Sequence, residues 1–242
     1  MLSLLFLSAA DVDHSCSLVY IELGSNRGDS LEDFARWKPD RHVKAALESA
    51  MVDWSPSAAC VHAFEPNPKW TSTLYDVRQR IRKNVSNVIL HTETAVVDDN
   101  RTKVQLFLDP SPLSEGTSIA HGKGRQTVFA KAINFHDWLV SKFARKSLPL
   151  VIRTDIEGFE YRLLHSLLTS GTASHFPRHT IHIAVEWHRY VKHASIGADK
   201  LDAMSVLDSS YKWVRGKNEP LEDSLEKQLH YWMQAAGFRM FY

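Results

Sequence analysis

Cysteine is scarce in this chain, and the scarcity removes several classes of protein at once. The 242 residues hold only Cys16 and Cys60, too few for a multi-bridge disulfide scaffold, and neither has a Cys or His neighbour at zinc-ligand spacing. A reducing, cytoplasmic setting is therefore the default expectation. Surplus charge is missing as well. With 29 basic residues against 28 acidic ones and a formal charge of +1, no global field draws the chain to nucleic acid or to an anionic membrane. The basic run Arg78, Arg80, Arg82 and Lys83 falls at helical spacing and reads as a solvated face. No apolar run reaches membrane-spanning length, so stable insertion is not expected. The leader MLSLLFLSAA is apolar and ends in small residues but lacks a basic start. Segment 1–17 thus reads as a helix packed on the domain or as an anchor remnant, which leaves a secretory or anchored form open.

What the chain does have is 44% hydrophobic content, enough for one sizeable core. Apolar runs alternate with helical patterns, the arrangement of an α/β fold with a doubly wound, mostly parallel sheet. Strands are expected at Leu18–Glu22, Cys60–Glu65, Val88–Thr92, Lys103–Leu108, the LPLVIRTD run and Thr180–Glu186, with a terminal strand in FRMFY. Helices are expected from Asp29 to Trp37, from Pro66 to Arg82, over NFHDWLVSKF with Asn134 as cap, from Ile156 to Gly171, and over Leu221–Ala236. One domain at 18–242 carries insertions at 38–57 and 109–126, the latter a lid or substrate-facing excursion rich in Pro, Ser and Gly.

The turn after the first strand, LVYIELGSNRGDS, has the layout of a nucleotide-cofactor site, yet its charge is hostile to phosphate. Glu22 closes the strand and Asp29 opens the helix, while Gly24 and Gly28 stand four apart rather than in the dinucleotide spacing. An acidic strand end suits S-adenosylmethionine, which carries a sulfonium and an amino-acid tail in place of phosphates. Gly24 would let the backbone approach the ligand, and Gly28 would relieve crowding between helix and strand.

Four strands end in acids: Glu22, Glu65, Asp155 and Glu186. In a parallel sheet those ends share one edge, so the carboxylates converge where a ligand binds. Glu65 is placed to accept both ribose hydroxyls, with Phe64 and Thr94–Val97 available to pack on adenine. After the central strand, TDIEGFE sets Asp155, Glu157 and Glu160 together, with Glu157 and Glu160 expected on one helix face. Asp155 is the candidate base for a hydroxyl acceptor; the alternative is that these acids cap the helix and pair with Arg153 and Arg162. In VEWH, Glu186 and His188 fall on one side of an extended segment, and His188 is a second base or a metal ligand.

In this order, VYIELGSNRGDS, VHAFEPNPKW, TAVVDD, FHDWL, VIRTDIEGFEYRLLHSLL and IAVEWH resemble the FkbM family of S-adenosylmethionine-dependent methyltransferases. The resemblance implies a class I, Rossmann-like methyltransferase fold and usually O-methylation of a small molecule, glycan or lipid-like acceptor. Carried over by position, Glu22, Gly24 and Asn26 would line the amino-acid end of the cofactor and Glu65 would take the ribose. Asp155 and Glu157 would face the reaction centre, with Glu186 and His188 nearby and a divalent metal as a further option. The chain departs from the family at Arg153, where lysine is common, and in the length of 38–57. The competing expectation is a catalytically silent methyltransferase-like module that binds or scaffolds. No nucleic-acid partner is expected.

Overall fold

A computed structural model describes residues 16–51, 53–85, 87–111, 117–119, 126–188 and 221–242. The leader at 1–15, residues 112–116 and 120–125 of the 109–126 excursion and the region 189–220 lie outside the described residues, and with them Tyr211 and Trp213, two aromatic candidates for stacking on an acceptor.

In chain order the first half runs β1 (Leu18–Leu23), α1 (Asp29–Ala35), α2 (Arg41–Ala50), β2 (Ala59–Glu65), α3 (Thr71–Ile81), β3 (Asn87–Thr92) and β4 (Thr94–Val97). The second half runs β5 (Lys103–Phe107), β6 (Thr127–Asn134), α4 (Phe135–Phe143), β7 (Leu150–Thr154), α5 (Glu160–Thr169), β8 (Ile181–Val185), α6 (Leu221–Ala236) and β9 (Arg239–Phe241). The central sheet has the order β3-β2-β1-β7-β8-β9, and every pairing in it is parallel. Strand order reverses between β1 and β7. That reversal is the point at which a doubly wound sheet opens a crevice beyond its carboxyl ends.

Alternation along β1 separates two cores. Val19, Ile21 and Leu23 pack with Phe135 and Leu139 of α4, Leu163 and Leu167 of α5, and Met233 of α6. Leu18 and Tyr20 face the other way, against Leu31 and Phe34 of α1, Val43 and Leu47 of α2, and Leu74 and Val77 of α3. Both β1 and β2 are buried along their whole length, as expected of central parallel strands covered on both faces. The segment 38–57 contributes α2 to this cover. A second sheet, β4-β6-β5, stands beside the first.

Element ends depart from expectation where the backbone turns left-handed. Helix α1 stops at Ala35 before Trp37 at φ 64. Helix α5 starts at Glu160 because Glu157 and Gly158 carry φ 52 and 91. Glu157 therefore sits on a turn and does not share a helix face with Glu160. Asn134 does cap α4, its side chain accepting from the Asp137 N–H at 3.2 Å.

The cysteines also differ from expectation: Cys16 and Cys60 are joined by a disulfide, with Cα atoms 5.6 Å apart. Their separation of 44 residues hides a proximity that the β1–β2 register creates by pairing Val19 with Cys60. The default of a reducing setting rested on count and spacing, which do not see this pairing. Replacing both cysteines with serine is expected to cost about 2–4 kcal/mol, from the freedom regained by the unfolded loop. A lower urea midpoint and the absence of free thiols in denatured, unreduced wild type are the expected readouts.

Candidate active site

The carboxyl ends of β1, β2 and β7 open onto a cleft of about 380 Å³. Its floor is a turn stitched to three strands. The N–H groups of Gly24 and Ser25 both donate to the Phe64 carbonyl at 3.0 Å, and the Asp155 N–H donates to the Leu23 carbonyl at 3.0 Å. Gly24 has φ +84, and a Cβ there would lie 1.8 Å from the Asp155 carbonyl oxygen. Close approach at this position is thus first an approach of two backbones. Gly28, at φ +91, would press a Cβ to 3.0 Å from Val77. It serves α1–α3 packing, not a helix–strand contact, and does not line the cleft.

Glu65 stands at the tip of β2, 6% exposed. Its Oε2 accepts the Asn26 N–H at 2.6 Å and its Oε1 the Asn67 N–H at 2.7 Å, so the carboxylate clamps the glycine turn to β2. Burial pushes its pKa up to about 7, against the pull of those two N–H bonds. Asn26, at φ 49, lines the cleft with Gly24, Ser25, Phe64 and the residues Thr94, Ala95 and Val96. Phe64 stacks on His91 at 4.1 Å between ring centres. Leu106, Thr117 and Ile119 also line the cleft, so the 109–126 excursion borders it at Thr117 and Ile119. Trp54, in the 38–57 insertion, stacks on Phe34 and Trp37 and anchors its loop to the core.

Glu22 lies where the sequence did not lead us to expect it. It is fully buried beneath the cleft and does not line it. Tyr20 donates to its Oε2 at 3.1 Å and the Ser30 hydroxyl to its Oε1. Its pKa is raised by burial, with Arg153, Ser30 and Tyr20 opposing. Arg153, directly across the β1–β7 register, is the connecting cation. It reaches Asp155 at 2.9 Å, Glu186 at 3.3 Å, the α2 cap Asp40 at 3.7 Å and Glu22 at 4.0 Å. Arg162 pairs with Asp98, well away from this knot, at 2.7 Å.

On the other side of Asp155 lies His188. Its Nδ1–H donates to Glu160 Oε1 at 2.8 Å, and its Nε2 faces Asp155 at 3.5 Å and Glu157 at 3.6 Å. Burial alone would lower its pKa. The bond to Glu160 and the charges of Glu160, Glu157 and Asp155 overcome that and hold it at about 9. A histidine that keeps its proton at neutral pH donates hydrogen bonds and is a poor base there.

The structure thus brings Gly24, Asn26, Glu65, Asp155, Glu157, Glu186 and His188 around one cleft, with Glu22 below it and Gly28 behind it. Two organising residues were not singled out from sequence for the roles they have here. Arg153 is a lone cation inside an apolar strand, and that oddity was the available signal. Glu160 was expected on one helix face with Glu157, and nothing in its spacing announces the buried bond to His188.

The sheet order and the crevice at its switch point are those of a Rossmann-like α/β fold. The methyltransferase FkbM domain matches residues 22–240, and the chain belongs to that family. No curated protein and no solved structure matches the chain. Among the described residues, no helix is long and apolar enough to cross a membrane.

Proposed function

We propose that the protein moves a methyl group from S-adenosylmethionine to a hydroxyl oxygen of a small-molecule, glycan or lipid-like acceptor, an activity of the EC 2.1.1 type. The observation that carries this reading is Glu65. In a chain of this family it presents a carboxylate at the tip of β2 while tied to the glycine turn that faces it. When bound, the cofactor supplies a methyl group on a positively charged sulfur.

The residues fit such a ligand. Ser25 Oγ and Asn26 Oδ1 are buried without a hydrogen-bond partner among the described residues, and both residues line the cleft beside Gly24. They suit the amino-acid end of the ligand. Glu65 keeps a lone pair on each oxygen after accepting its two N–H bonds, which suits a pair of ribose hydroxyls. Phe64 and Thr94–Val96 offer an apolar wall to a base. At the acceptor end Arg153 holds Asp155 Oδ2, leaving Oδ1 on the His188 side. Asp155 and Glu157 there draw in the acceptor hydroxyl and take up its proton as the oxygen forms its new bond to carbon.

Calorimetry with S-adenosylmethionine and its demethylated product tests this. Accepting ribose hydroxyls requires the ionised carboxylate, and Glu65 ionises near pH 7. Affinity is therefore expected to rise about tenfold between pH 6 and pH 8, following the ionised fraction. Glu65→Gln should bind at least ten times more weakly at pH 8 and show a flat pH profile. A folded wild type that binds neither compound at any pH rejects the reading.

A further inference from the structure

We propose that Asp155, Glu157 and His188 form a binding site for a divalent first-row transition-metal cation at the acceptor end of the cleft. One ligand atom from each of the three lies within 4.8 Å of the others. Glu157, on its left-handed turn, and Asp155, at the end of β7, reach His188 from one side of the sheet edge.

The spacing within the group favours a cation over direct bonding. His188 Nε2 stands 3.5 Å from Asp155 Oδ1 and 3.6 Å from Glu157 Oε1. A charge-assisted N–H···O bond closes to roughly 2.7–2.9 Å. Ligands bound at about 2.0–2.2 Å to one ion instead stand roughly 3.0–3.5 Å apart, as octahedral and tetrahedral shells require. The 3.5 Å separation stands at the top of that second range and the 3.6 Å one just beyond it, both closer to it than to a direct bond.

Glu160 is a separate observation. It is fully buried, its Oε1 takes the Nδ1–H of His188 at 2.8 Å, and its Oε2 has no partner among the described residues. A carboxylate behind a histidine is the arrangement that fixes the tautomer and aims the outer nitrogen at a metal. Glu160 also accepts the Ile156 N–H at 2.9 Å, so the aim is locked to the backbone of the same loop.

Charge points the same way. Asp155, Glu157 and Glu160 crowd one histidine, and Arg153 shares its single charge among Asp155, Glu186, Asp40 and Glu22. A divalent ion suits a place where three carboxylates gather on one imidazole. One imidazole with two carboxylates suits manganese or iron(II) better than magnesium, which prefers oxygen alone. All three residues line the cleft, so coordination positions stay open to water or to an acceptor oxygen. The ion would make an acceptor hydroxyl bound there more acidic, which aids the proton removal assigned above to this end of the cleft. That role rests on the methyltransferase reading; binding of the cation itself does not.

Chelator-treated full-length protein, without cofactor or acceptor, is titrated with manganese(II) and followed by calorimetry and electron paramagnetic resonance. One ion per chain is expected. Glu157→Gln and His188→Gln should each weaken binding at least tenfold, and Glu160→Gln, acting through His188, by about 10–100-fold. Glu157 lies on a turn outside the helices, so its variant keeps the test usable if His188→Gln fails to fold. No saturable manganese binding up to millimolar concentration overturns the proposal, as does binding that Glu157→Gln leaves unchanged. A parallel titration with S-adenosylmethionine separates the two readings. Protein that binds the cofactor but not manganese rejects the cation site alone, and the converse rejects the methyl-donor reading alone.

Discussion

Replacing Gly24 with alanine is expected to abolish cofactor binding and to lower unfolding free energy by more than about 3 kcal/mol. Two independent penalties meet at this atom. The backbone is at φ +84, a region that a side chain with Cβ occupies only under strain, and the new methyl would lie 1.8 Å from the Asp155 carbonyl oxygen. That oxygen belongs to main chain, so no rotamer change relieves the clash. Relief requires β1 and β7 to part at their carboxyl ends. This would break the Asp155 N–H bond to the Leu23 carbonyl and carry Asp155 away from the glycine turn. Denaturant melts and calorimetry of the same preparation check both effects. An alanine variant that binds the cofactor within threefold of wild type would show that the turn tolerates that separation.

The second large effect is expected at Arg153. Removing it leaves Glu22 fully buried with only the Tyr20 and Ser30 hydroxyls for company. Loss of one partner from a buried charged network typically costs about 3–5 kcal/mol, because the remaining charge has lost its compensation. Arg153→Ala is therefore expected to lose stability on that scale and to free Asp155 and Glu186 from their shared donor. Adding Glu22→Gln should recover a large part of the loss, since the amide can still meet both hydroxyls without a charge. A double variant no more stable than Arg153→Ala would locate the cost elsewhere, in the bonds to Asp155 and Glu186. Urea unfolding of the single and double variants makes the comparison.

Most of the parallel sheet was legible in the sequence because buried parallel strands are continuous apolar runs ended by polar residues, and β1, β2, β7 and β8 are of that kind. The convergence of Glu65, Asp155 and Glu186 followed from the same reasoning, since parallel strands share a carboxyl edge. What was not legible depends on contacts between segments far apart in the chain. Glu22 ends a strand like the others, but Tyr20 and Ser30 draw it under the floor, and no pattern of types shows that. Glu157 looked helical until two successive left-handed residues displaced it onto a turn. The Cys16–Cys60 bridge depended on a register that only the paired strands reveal.

The bridge bears on how the chain comes together during synthesis. Strand β1 sits at the middle of the sheet, yet its second neighbour β7 begins only at Leu150. A ribosome therefore releases β1 and β2 long before the strand that completes their core, and non-local parallel pairings of this sort assemble slowly. Cys16 and Cys60 both belong to that early portion. Once oxidised, they tether the first strand pair through the interval in which β1 awaits its later neighbour, which makes the bridge a guard against misassembly as well as a staple of the finished molecule.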